Sequence, residues 1–259
     1  MQQKSDRYVK HKEVLYMYGW RARLGILVPS GILAIEPEFG LVTPEGVSCH
    51  YHRFNFSGAG RNDEEVVARL KKAEDYVADA AALICDVRPA VVAMTGTGVT
   101  FIDGHGHDQR LIRKMMDRNG NLPTTTTSTS VITAFNKMGI RKVSIAMPYL
   151  EAVARAAVKF VEDSGVQVLN AKWLNKTGID IAEVTPETVY HLAREVDRPE
   201  SEAVFISCTG LHTFGVIDKL EHDLQKPVIT SNQATIWNIL RMAGVNDSIE
   251  GYGQLLSKY

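Results

Sequence analysis

Cys208 is the residue of this sequence with the clearest capacity for chemistry. It follows the short apolar run Ala203 to Ser207 and opens the turn Cys208-Thr209-Gly210. This spacing predicts a thiol where a strand gives way to a helix, beside unpaired backbone N–H groups and the positive end of a helix dipole, which stabilise a thiolate. A small cysteine is also ordinary filler at the end of a buried strand. Cys49, expected in a loop, and Cys85, in a helix-to-strand stretch, carry no further signal and are read as filler. A second turn of the same form, Met94-Thr95-Gly96-Thr97-Gly98, follows the run Ala90 to Met94. Beside Ile206-Ser207-Cys208-Thr209-Gly210 it sets Gly96 where the other turn has Cys208. Facing each other, the two turns make a cleft with a thiol on one wall and a glycine on the other.

Thr97, Gly98, Thr209 and Gly210 would offer that cleft hydroxyls and closely approachable backbone N–H groups, donors suited to a carboxylate or an enediolate. Tyr149, just past the run Lys142 to Met147, either aims its phenol into the cleft or packs as a half-buried tyrosine. The spacing of Gly96, Gly98 and Thr97 fits neither a dinucleotide fingerprint nor a P-loop, so phosphate binding is not expected. His105, His107 and Asp108 crowd one loop. A metal site needs a third or fourth ligand that the sequence does not signal, so they are read as a surface loop without metal. His212 lies four residues after Cys208, a spacing that shares a face on a helix. That pair could serve amide or ester hydrolysis, although no third orienting group is evident.

Positioning these turns requires a particular set of elements. Strand-sized apolar runs recur at Leu24 to Pro29, Ala90 to Met94, Lys142 to Met147, Val166 to Leu169, Ala203 to Ser207 and Pro227 to Thr230. Between them lie helix-period segments at 62–81, 108–118, 130–138, 150–164, 185–196, 213–223 and 234–243. The alternation predicts an α/β fold with parallel sheets. Ligands bind such sheets at the carboxyl ends of the strands. The Thr-rich stretch Asn119 to Thr129 reads as a loop crossing between two halves. The expected organisation is an N-terminal extension over 1–23, a first half over 24–125 and a second over 126–230, with 231–259 returning to the first.

With 259 residues and 45% hydrophobic content, the chain can bury a substantial core. Lys and Arg total 29 against 30 Asp and Glu, and no basic stripe appears, so nucleic acid is not an expected partner. No run reaches the 18 or so apolar residues of a membrane span, and the first 23 residues lack the apolar segment of a signal peptide. Three cysteines without a C-x-x-C pair fit reduced thiols in the cytoplasm better than disulfides or structural zinc.

Taken in order, the segments Leu27 to Phe39, Val91 to Gly104, Leu122 to Val131, Lys142 to Tyr149, Leu174 to Val184, Phe205 to Thr213 and Glu250 to Gln254 resemble the aspartate/glutamate racemase superfamily, in its branch of arylmalonate decarboxylases and maleate cis-trans isomerases. The resemblance covers most of the chain after about residue 24. It implies two pseudo-symmetric Rossmann-like halves with the site between them and no cofactor. In the isomerases a cysteine stands on each wall, whereas in the decarboxylase the first is glycine. Gly96 and Cys208 match the decarboxylase pattern.

The same resemblance implies that Cys208 protonates an enediolate held by Thr97, Tyr149 and the backbone amides of Cys208 and Thr209. Gly98 departs from it, standing where the decarboxylase has a serine. The first loop departs from the isomerases: Ile32-Leu33-Ala34 replaces an Asn-Thr-Thr run. An apolar loop cannot satisfy a second buried carboxylate. The expected pocket is therefore apolar, with Gly96, Ile32, Leu33, Val99 and Ile179 around the substrate. The expected substrate is a small carboxylic acid, and the expected reaction is decarboxylation of an arylmalonate-like acid, with isomerisation or racemisation as the alternative. The oligomeric state is not legible.

Overall fold

In the computed structural model, which describes residues 17–58 and 60–259, the aliphatic runs form the inner strands of two parallel sheets. Residues 1–16 of the expected N-terminal extension lie outside the described residues. The first sheet contains β1 (Ala22–Pro29), β2 (Val47–Phe54), β3 (Val91–Met94) and β4 (Thr124–Thr126), in the order β2-β1-β3-β4. Its helices are α1 (Ile35–Val42), α2 (Asp63–Lys72), α3 (Val77–Ile84), α4 (Thr97–Phe101) and α5 (His107–Met116). After α6 (Thr127–Met138) the second sheet repeats the plan with β5 (Lys142–Met147), β6 (Gln167–Trp173), β7 (Ala203–Ile206) and β8 (Val228–Thr230), in the order β6-β5-β7-β8. Around it lie α7 (Glu151–Asp163), α8 (Ile179–Ala182), α9 (Pro186–Val196), α10 (Ile217–Leu224), α11 (Ser231–Met242) and α12 (Gln254–Lys258). Every strand pair is parallel. The α/β class with two parallel sheets is as the sequence predicted.

The inner strands read as continuous apolar runs because helices cover both their faces. Val91 to Met94 and Ala203 to Ile206 are buried throughout. The strands missed in the sequence are edges. β2 is half-exposed, with polar residues interleaved (Val-Ser-Cys-His-Tyr-His-Arg-Phe), so Cys49 lies on a strand paired with Leu24 and not in a loop. β4 is three threonines, buried but without an aliphatic signal. The stretch Asn119 to Thr129 is therefore not a plain crossover loop: it holds β4 and the first residues of α6. Thr126 caps α6 by accepting from the Thr129 amide. The expected helix over 62–81 is broken into α2, a 3-10 turn at Ala73–Tyr76 and α3.

The helix that follows the fourth strand of each sheet packs on both halves. Phe135 of α6 stacks edge-on against Phe205 of β7, with ring centroids 5.6 Å apart. α11 packs on β3, α1 and, most extensively, α6. The seam between these helices is polar and fully buried. Asn238 donates to Thr125 Oγ1 (3.2 Å) and Ser130 Oγ (3.0 Å), and Thr235 Oγ1 donates to Thr127 Oγ1 (3.1 Å).

Candidate active site

Both sheets change connection direction between their two inner strands, β1 and β3 in one and β5 and β7 in the other. The carboxyl ends of such pairs are where open α/β sheets hold ligands. The turns after β3 and β7 are built alike. The Thr95 amide donates to Leu27 O on β1 and the Ser207 amide to Ala146 O on β5, each over 2.9 Å. The next residue in each turn has a positive φ, +103° at Gly96 and +152° at Cys208. Glycine takes that backbone without penalty, whereas at Cys208 it stores strain, of the kind that collects at functional sites.

A cavity lies over these turns. Cys208, Thr209, Gly96, Thr97, Gly98 and Tyr149 all line it, together with the expected pocket residues Ile32 and Val99. Gly210, Leu33 and Ile179 do not. They border an adjoining outer cavity that shares Ile32, Phe56, Arg69 and Ile181 with the inner one. Leu33 and Ile179 are largely exposed, so they belong to the mouth. Ile181, two residues further along and therefore on the opposite face of α8, fills the inner place assigned to Ile179.

Cys208 Sγ accepts from the Gly210 amide at 3.3 Å, with the Leu211 amide and the Tyr149 hydroxyl also directed at it. Burial pushes the thiol up to about 11, and these donors only partly offset it. The expected helix dipole is missing. The chain continues from Cys208 as a turn, a 3-10 turn at Phe214–Val216 follows, and α10 begins only at Ile217. The thiol is therefore held protonated at neutral pH, opposite to the thiolate that a helix terminus would favour.

The same absence of a helix dismantles the Cys208–His212 pair. His212 Nε2 lies 3.1 Å from Ala182 O, and His212 lines neither cavity. The Tyr149 hydroxyl sits among Ser207 Oγ (3.3 Å), Thr97 and Cys208, and burial raises its pKa well above that of an ordinary phenol. The Cys208 amide, expected as a donor to substrate, is already spent on Ser231 Oγ at 3.0 Å.

Glycine at two further positions follows from crowding. A Cβ at Gly98 would stand 3.1 Å from Leu70 Cδ2, so the leucine fills the space where a serine side chain would go. A Cβ at Gly210 would stand 3.1 Å from Ile181 Cγ2 and 3.6 Å from Cys208 Sγ.

Comparison with known proteins settles the family. The arylmalonate decarboxylase family model matches residues 25–256. The chain belongs to the arylmalonate decarboxylase family. Arylmalonate decarboxylase of Bordetella bronchiseptica is 29% identical to it over 240 residues, covering 91% of this chain and 96% of that one. Maleate isomerase of Alcaligenes faecalis is 22% identical over 247 residues, with the same coverage of both. The fold is also that of maleate isomerase Iso from Pseudomonas putida S16, with a TM-score of 0.83 at 21% identity, over 92% of this chain and 98% of that one.

This arylmalonate decarboxylase family member uses two residues that sequence reasoning missed. Ser231, the first residue of α11, accepts both from the Cys208 amide and from Thr97 Oγ1 (2.9 Å), tying the two turns together. Its signal was the capping box Thr230-Ser231-Asn232-Gln233, which marks a helix start at the carboxyl end of a strand. Glu38 of α1 is buried and accepts from the Thr213 and Phe214 amides (2.5 and 2.9 Å) and from Asn232 Nδ2 (2.6 Å). Burial raises its pKa against these three donors. Asn232 also donates to Thr209 O (3.3 Å), so Glu38 clasps the turn that carries Cys208 from the other half of the molecule.

The histidine-rich loop is not the surface loop expected. His107 and Asp108 are buried and only His105 is exposed. Asp108 accepts from Thr129 Oγ1 at 2.6 Å, while His107 meets Glu74 at 3.4 Å. Glu74, Asp103 and His107 are close enough to share an ion. Lys114 at 3.3 Å and Lys71 at 2.6 Å already balance the two carboxylates. Among the described residues no helix is long and apolar enough to cross a membrane.

Proposed function

We propose that this protein is a cofactor-independent decarboxylase of an arylmalonate-like or similarly activated carboxylic acid. The observation that carries the reading is the pair of matched turns, a buried and protonated thiol at Cys208 against a glycine at Gly96. In the reaction, the bond from the central carbon to one carboxylate breaks and carbon dioxide leaves into the apolar part of the cavity, formed by Ile32, Val99, Leu70 and Val153. The electron pair moves into the retained carboxylate, giving an enediolate that the Tyr149 hydroxyl and the Thr209 amide stabilise. Cys208 S–H then gives its proton to the carbon. A thiolate whose conjugate acid has so high a pKa takes a proton back from water readily, closing the cycle.

The competing reading is a cofactor-independent isomerisation or racemisation of the maleate isomerase kind, in which both carboxylates are kept. Two cations in the cavity lining, Arg69 and Lys176, favour it as partners for a second carboxylate. Proton NMR of the protein in deuterated buffer with phenylmalonate or maleate separates the two. The decarboxylase reading expects loss of carbon dioxide and one deuteron per product. Exchange or double-bond isomerisation with every carbon retained would replace it.

A further inference from the structure

Arg69 is the one charged residue shared by both cavities. It projects from α2 beneath the loop that follows β2. Its guanidinium carbon stands 4.3 Å over the Phe56 ring, and Nη1 donates to the Gly58 carbonyl. Among the described residues, no carboxylate lies within ion-pair distance of it, its buried Nε has no hydrogen-bond partner, and neither cavity is lined by Asp or Glu. Burial lowers the Arg69 pKa with no neighbouring acid to offset it. A half-buried guanidinium held by one face and one nitrogen, without a counter-charge, is an unfinished ion pair. Its remaining donors form the planar fork that suits a carboxylate.

We infer that Arg69 is the specificity-determining residue of this pocket, receiving a second anionic group on the substituent of the substrate, remote from the carbon that Cys208 protonates. The substrate class is then an acid whose aryl or alkyl substituent ends in a carboxylate. This rests on the reading that the cavity over Cys208 is the substrate site. Such an anion crosses the inner cavity toward the mouth, where the apolar stem lies on Ile32 and Ile181 and its charge meets the guanidinium. Lys176, exposed and lining the inner cavity only, adds a second positive charge without the fork.

The test uses binding, so it does not depend on turnover. Calorimetry on the Cys208→Ala protein compares phenylacetate with 4-carboxyphenylacetate, which differ only in the distal carboxylate. The diacid is expected to bind about 10- to 100-fold more tightly, the range of one charge-assisted contact. That ratio should fall to near one in Arg69→Gln and lie between in Arg69→Lys, whose fold is checked by circular dichroism. A role in pinning the loop after β2 would weaken both ligands together and leave the ratio unchanged. Equal binding of the two acids, or a preference that survives Arg69→Gln, overturns the inference and leaves the decarboxylase reading intact. Failure of both acids to bind overturns both readings.

Discussion

At the scale of single residues, the site turns on the state of one thiol. Because Cys208 is the only cysteine lining the cavity, Cys208→Ala and Cys208→Ser should lower kcat by about 10²- to 10⁴-fold, the usual worth of a positioned general acid. Retained turnover in either variant would end the mechanism. With the protonated thiol as the proposed acid, kcat/KM should show no thiol-dependent fall between pH 6 and 9 and should decline as the pH approaches about 11. The linked stability has the same sign. The folded thiol holds its proton more tightly than the unfolded one, so stability from this group is complete below an unfolded pKa of about 8.5 and is lost as the pH rises through the folded value. Its backbone makes a separate prediction: with φ at +152°, Cys208→Gly should melt above Cys208→Ala by about 1 kcal/mol, strain relief exceeding the entropy of glycine. The thiol and its glycine counterpart were legible because two similar turns followed two similar strands. Ser231 and Arg69 were not, since a serine inside a helix cap and an arginine on a charged helix look ordinary until the fold brings them to the cleft.

At the scale of elements, the clasp from α1 is what sets the Cys208 turn. Glu38→Ala would leave the Thr213 and Phe214 amides and Asn232 Nδ2 buried without their acceptor, a loss of about 3 kcal/mol in urea unfolding. Glu38→Gln keeps one acceptor oxygen and should lose less. Equal stability of Glu38→Ala and the parent would show that the clasp is dispensable. The facing turn permits the converse experiment. Gly96→Cys supplies a second thiol and should allow exchange or racemisation of the product, measured by deuterium uptake. Its Cβ would press to 2.9 Å from Pro29 Cγ at a φ of +103°, so a stability cost of about 1–3 kcal/mol is expected alongside. The inner strands and most helices could be read from apolar runs and helical periods. β2 and β4 could not, because an edge strand with alternating polar residues and a strand of three threonines lack the aliphatic run that marks a buried strand.

At the scale of the whole molecule, the halves are joined through α6 and α11 along a buried polar seam of Thr125, Thr127, Ser130, Thr235 and Asn238. Because α11 packs on β3 and β8 alike, urea unfolding should be a single transition in which far-ultraviolet ellipticity and tryptophan emission coincide. Two separated transitions would mean that each half folds alone. The repeated topology was foreshadowed by the paired turns. The uncompensated Arg69 at the cleft has a kinetic consequence. The protein carries a net charge of only −1, yet an approaching anion meets an arginine that lines both cavities and, among the described residues, no acid in the lining of either. Its capture is therefore assisted by the local field, and kcat/KM for an anionic substrate should fall as ionic strength is raised past the point where the screening length drops below about 10 Å, while kcat stays nearly constant.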